Sequence, residues 1–256
     1  MMKDAQTLIL SAGELYVLSG LMGYPSVFAV EDATLKEWYP MLKVRVQEVM
    51  RRLEKRMLVL CEPSGTVYWD EQAARVIRCL CAPQSAALVT GSNESGRRSE
   101  AYVLRLDRDI ATVRKMTADA YRITLTHRIP DEILPADTPD AGKQPLHVEL
   151  PFANARRARA ALDAFNPDEA ESFVQPYAEA HTQTVLNAIS GTCRFLRIQC
   201  QRRSMGYYSS AWQCLFVFCG DQLIRMQLDG SDRLHIDTVT AGEVIADFSA
   251  AMELDC

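Results

Sequence analysis

Residues 100–116, EAYVLRLDRDIATVRKM, decide the fold class. Two runs rich in aromatic and β-branched residues, Glu100–Asp107 and Ile110–Met116, flank the polar turn Asp107-Arg108-Asp109. Strands joined by so short a turn pair antiparallel, because parallel pairing needs a long crossover. Working outward, Ala86–Ser92 and Tyr121–His127 have the same composition, set off by Asn93-Glu94-Ser95-Gly96 and Thr117-Ala118-Asp119. The spacing predicts a four-strand meander over residues 86–127.

Helical patterning precedes this meander. Ser11 with Glu14 three positions on has the spacing of a capping box, and Leu15, Leu18, Leu21 and Met22 follow at helical intervals. Gly23-Tyr24-Pro25 ends that helix, and a second is predicted over 34–55 with a break at Pro40. Met57–Cys61 and Thr66–Trp69 read as a ribbon about the turn Pro63-Ser64-Gly65, and Asp70 caps a helix to Leu80. Helices followed by a two-stranded ribbon give residues 10–82 a winged-helix-like order.

The second half repeats the plan. Prolines 130, 135, 139 and 145 with Gly142 mark a linker over 131–145. Beyond it, a C-terminal module over 146–256 opens with Leu146–Leu150. Helices follow over 154–163, from Pro167, and over 177–189. Pro176 interrupts the pattern before the last of these, and Gly191 serves as its C-terminal cap. Strands are expected over 195–201, 210–219, 222–228 and 234–240, and a last helix over 241–252. The fold class is therefore α+β, with an N-terminal module over 1–130 and a C-terminal one that each run helices then meander. Two such sheets fit a quasi-two-fold arrangement. The same order also arises in α+β proteins that simply segregate helices from strands.

The chain has 256 residues, 48% hydrophobic and 24% charged, which are ordinary globular values. A net charge of −5 supplies no global positive field to draw nucleic acid or anionic lipid. No apolar run approaches the roughly 18 residues of a membrane span, and Leu8-Ile9-Leu10 is too brief for an export signal core. A cytoplasmic location with reduced thiols is the expectation for the eight cysteines, most of which sit in apolar runs as core residues.

Catalytic motifs are missing. The sequence contains no Cys-x-x-Cys, no His-Glu-x-x-His, no Gly-x-Ser-x-Gly and no phosphate loop. No catalytic residue, cofactor or metal is implied, and the chain reads as a non-enzyme. His235-x-Asp237 places both side chains on one strand face, the pattern of a hydrogen-bonded sheet feature. An enzymatic reading would require a deep polar pocket holding His127, His181 or His235 beside a carboxylate.

Two stretches propose contacts. Gln201–Ser210 joins two apolar strands and carries Arg203, Met205, Tyr207 and Tyr208 at or near its tip, residue types that concentrate binding energy at protein interfaces. The segment 41–56 crowds Lys43, Arg45, Arg51, Arg52, Lys55 and Arg56 onto one helix. That helix is either a solvated face with internal ion pairs or, as the alternative function, the DNA-reading element of a winged-helix transcription regulator using Arg51, Arg52 and Arg56.

The layout also resembles a known family. Leu10-Ser11-Ala12-Gly13-Glu14-Leu15 leads a helix. The helix–strand–turn–strand of 41–69 and the Asp70–Leu80 helix follow, then Ala101-Tyr102-Val103-Leu104 and Tyr121-Arg122-Ile123-Thr124-Leu125 as meander strands. In this order the chain is similar to the EspG family, chaperones of type VII secretion. The resemblance implies a mixed α/β body with quasi-two-fold halves. The implied role is to hold small helical-hairpin secretion substrates soluble in the cytoplasm, so the partner would be another protein. No binding residue carries over, since the match lies in hydrophobic patterning.

Overall fold

The structure, a computed structural model, describes residues 6–30, 42–92, 96–129, 133–135, 137–139 and 145–254. The expected helix over 34–41 with its break at Pro40, the turn residues 93–95 and much of 131–145 lie outside the described residues. The fold is α+β. The chain divides into two compact units: residues 1–87, 100–130 and 202–209 form one, and residues 88–99, 131–201 and 210–256 the other.

In the first unit the predicted helices and ribbon form as α1 (Ala12–Leu21), α2 (Leu42–Lys55), β2 (Val59–Cys61), β3 (Val67–Trp69) and α3 (Glu71–Cys81). The meander forms as β4 (Ser85–Ser92), β5 (Arg98–Leu106), β6 (Asp109–Lys115) and β7 (Ala120–Thr126), with β4 passing out of the unit after Ala87. One strand is additional. Gln6–Ser11 is β1, paired antiparallel with β7 from Gln6↔Leu125 to Ser11↔Ala120, so the order is β1-β7-β6-β5. The alternation is that of a half-buried strand: Leu10 is buried while Ile9 is exposed.

Ser11 ends β1 and caps α1. Its hydroxyl accepts the Glu14 amide at 3.2 Å, and Glu14 Oε2 accepts the Ser11 amide at 2.8 Å, the reciprocal box the spacing called for. We expect Ser11→Ala to lower stability by about 1 kcal/mol, read as a shifted midpoint in urea unfolding. Asp70 likewise accepts the Ala73 amide at 2.8 Å and starts α3. Residues Ala73, Val76, Ile77 and Leu80 recur at helical spacing and are buried, and α3 packs on β6. The core beneath joins Leu15 and Leu18 of α1, Val49 and Leu53 of α2, and Leu104 and Ile123 of the sheet.

The second unit holds β8 (His147–Pro151), α4 (Phe152–Asp163), α5 (Pro167–Ala178), a 3-10 turn (Glu179–His181) and α6 (Thr182–Ser190). After these come β9 (Arg194–Ser204) and β10 (Tyr207–Cys219), whose residues 202–204 and 207–209 belong to the first unit, then β11 (Gln222–Leu228), β12 (Arg233–Thr238) and α7 (Ala241–Met252). Strand order is β9-β10-β11-β12-β8. Each unit thus places its first strand beside the last strand of its meander, β1 on β7 and β8 on β12. The helices α4 to α6 cover one sheet face through Ala158, Val174, Val185, Val217, Ile224 and Ile236, small or β-branched residues that let backbones approach closely.

The break between the second and third helices differs from the expected one. Pro176 sits inside α5, and the chain remains helical to Ala178. Proline removes one amide from the ladder without dictating a reversal. The reversal is taken at Glu179, at φ 30 and ψ −101, and α6 then begins at Thr182 instead of Tyr177. Gly191 caps α6 in the left-handed region, φ 67 and ψ 14. A side chain there would meet the Arg159 guanidinium, whose Nη1 donates to the helix-end carbonyls of Ile189 (3.1 Å) and Ser190.

Candidate binding surface

Strands β9 and β10 meet in the two-residue turn Met205-Gly206. Met205 has φ 51 and Gly206 φ 87, two left-handed residues in a row, as in the turn whose twist matches paired strands. The tip, residues 202–209, belongs to the first unit. Three of the nominated contact residues stand in solvent there: Met205 is 97% exposed, Tyr207 is 80% exposed, and Arg203 is exposed.

Tyr208 does something else. Its hydroxyl donates to the Pro83 carbonyl at 2.7 Å, and its ring lies 5.1 Å from that of Phe28, which meets Tyr102 edge-on at 6.2 Å. Burial pushes its phenol pKa up. The Arg203 amide donates to the Gln84 carbonyl at 2.8 Å. Tyr208 and the Arg203 backbone therefore anchor the tip, while the Met205 and Tyr207 side chains project from it.

A second exposed apolar group lies on the β2–β3 ribbon. Leu60 and Tyr68 are directly opposite one another and 60% and 52% exposed, and neighbouring Met57 is 82% exposed. Sequence reasoning overlooked it. The signal was present: in a three-residue strand whose outer residues face the core, the middle one must face out.

The basic helix separates into two kinds of residue. Arg51 and Arg52 are exposed. Arg56 is exposed too, but its guanidinium is engaged. Its Nη1 bonds Glu14 Oε1 at 2.8 Å and its Nη2 donates to the Ile9 carbonyl of edge strand β1, also at 2.8 Å.

Of the four histidines, His181 ends the 3-10 turn after α5, and the other three bond residues of strands or turns. His235 and Asp237 do not bond each other. His147 Nδ1 lies 2.6 Å from Asp237 Oδ1, directly across the β8–β12 ladder, and Asp237 also meets Arg225 at 3.3 Å. His235 Nε2 lies 3.0 Å from Asp229 Oδ2. That hydrogen bond, with the Arg233 amide, holds the Asp229 carboxyl well below the usual carboxylate range. His127 Nδ1 lies 3.0 Å from the Arg108 carbonyl, and its Nε2 is 3.2 Å from Arg75, itself bonded to Asp109. All three tie strands or turns together.

The second unit carries an open groove of about 920 Å³ between α4, the end of α6 and the sheet. Leu215, Val217 and Met226 are among its apolar lining residues, Arg156 and Arg197 stand exposed along it, and no histidine lines it. Among the described residues, no group of three or more His, Cys, Asp or Glu is arranged to hold a metal ion, and no helix is long and apolar enough to cross a membrane. The arrangement offers apolar area edged by Arg156, Arg197 and the Arg159–Asp163 pair.

No protein-family model matches the chain, and no curated protein matches it. Among solved structures the chain is similar to the Mycobacterium tuberculosis type VII secretion system chaperone EspG5, seen in complex with a PE25–PPE41 dimer. The identity is 12%, the TM-score is 0.62, and the match covers 97% of this chain and 95% of that one. At that identity the likeness is one of fold, and it extends over both units.

Proposed function

We propose that this protein is a non-catalytic escort that holds a small helical secretion substrate of the type VII kind in the cytoplasm before export. The observation that carries the reading is the fold likeness to a chaperone solved in complex with a PE25–PPE41 dimer, spanning nearly all of both chains. Exposed apolar side chains on ordered backbone support it, since such groups gain most when a partner covers them. We assign the first contact to Arg203, Met205 and Tyr207, with Tyr208 holding the hairpin in place. The groove with Arg156 and Arg197 suits an apolar stripe flanked by acidic residues.

The nucleic-acid alternative has less behind it, because Arg56 is committed to Glu14 and to the β1 edge. Co-expression with any small helical proteins found encoded beside the gene tests the proposal. The tagged chain should retain one of them through size exclusion. Recovery of the bait alone counts against it.

A further inference from the structure

Seven cysteines lie in the described residues, and all are free thiols. Several are core residues. Cys79 is buried with its Sγ donating to the Leu104 carbonyl at 3.3 Å, and Cys214 is buried with its Sγ 3.7 Å from the Met226 carbonyl. Burial pushes both thiols up to about 12. Both are too deeply buried for an oxidant to reach. Cys193 and Cys219 differ: both are only partly buried and their sulfurs are 3.6 Å apart, and of the two cysteines along the open groove Cys193 is partly exposed while Cys214 is buried.

We propose that Cys193 and Cys219 form a redox-sensitive pair that closes to a reversible disulfide when the chain meets hydrogen peroxide. Bond formation needs the sulfurs to approach to about 2.0 Å. Both residues sit at the ends of elements, beside glycine turns. Cys193 follows the left-handed Gly191 cap at the joint of α6 and β9, and Cys219 precedes the turn at Gly220, φ 62.

The two thiols have separate roles. Cys193, facing the groove, is the one a small oxidant reaches. Its thiolate attacks a peroxide oxygen, breaking the O–O bond and leaving Cys193 as the sulfenic acid with one water released. Burial and the neighbouring Cys193 keep Cys219 protonated, its pKa pushed up to about 12, so it resolves and does not initiate. Its sulfur attacks the sulfenic sulfur, the S–S bond forms, and the hydroxyl departs with the Cys219 proton as a second water. Two thiols and one peroxide become one disulfide and two waters.

The bond would staple the end of α6 to β10. The Cys193 Sγ already lies 3.6 Å from the Asn187 carbonyl of that helix. Closing the loop restricts the unfolded chain, and the melting temperature should rise by about 5 °C.

The test treats the full chain with hydrogen peroxide at a dose that converts the exposed Met205 to its sulfoxide, then blocks free thiols and maps peptides without reduction. The expected result is a Cys193–Cys219 linked peptide that dithiothreitol removes, with the raised melting temperature. Cys219→Ser should trap a dimedone adduct at Cys193 and show no temperature rise. Should that variant fail to fold, the wild-type peptide map decides alone. Free Cys193 and Cys219 at that dose, or disulfides joining other cysteines, would overturn the proposal.

Discussion

Replacing Arg56 with glutamate is expected to destabilise the protein by about 2 kcal/mol, the scale of losing a charge-assisted hydrogen bond to a buried carboxylate from a guanidinium that is itself 37% exposed. The Glu14 side chain is 7% exposed and its carboxylate has two partners, the Ser11 amide and the Arg56 guanidinium. Substitution removes one partner and places a second carboxylate beside the first in a poorly solvated site. It also frees the Ile9 carbonyl on the outer edge of β1, a group the guanidinium now covers. An uncovered edge is a template for pairing with another chain, so the variant should also self-associate more readily. Arg51→Glu and Arg52→Glu, on exposed positions of the same helix, should change stability by no more than about 0.5 kcal/mol. Urea unfolding of the three variants makes the comparison. Equal midpoints would show that the clasp contributes nothing.

The second large effect is on binding. Met205→Asp combined with Tyr207→Ala should weaken capture of the helical partner on the order of 1,000-fold, since each interface anchor of this kind is worth roughly 2 kcal/mol and every 1.4 kcal/mol or so is about tenfold. Folding stability should hardly change, because these side chains are 97% and 80% exposed. Calorimetric titration with the co-purified partner reads the first quantity and thermal unfolding the second. A full-strength complex from the double variant would remove the hairpin tip from the binding surface. The contact would then move to the Met57–Leu60–Tyr68 face or to the groove.

Local rules made much of the fold readable. The Ser11–Glu14 and Asp70 caps, Pro167 at a helix start and the left-handed Gly191 each act within a few residues, and each formed as spaced. The strand β1 escaped because nothing local defines it. Six residues become a strand only through pairing with β7, more than 100 positions away. The break at Glu179 escaped for the opposite reason: Pro176 is a strong local signal that the helix absorbed.

The candidate site was legible in part. A turn flanked by apolar strands marked Met205 and Tyr207, but period-2 geometry already implied that Tyr207 and Tyr208 face opposite ways. One projects and the other is held by Pro83 and Phe28. Similar reasoning applies to His235 and Asp237, which share a strand face and still prefer the residues opposite or beside them, Asp229 and His147. The Cys193–Cys219 approach and the groove depend on how α4 and α6 settle on the sheet, which no short stretch of sequence encodes.

The proposed escort role stands or falls on size exclusion of the chain co-expressed with whichever small helical proteins are found encoded next to it. The account predicts a discrete complex whose mass is the sum of this chain and its cargo, formed at micromolar concentration and lost on mutating Met205 and Tyr207 together. Elution of this chain apart from every such protein at that concentration would contradict it.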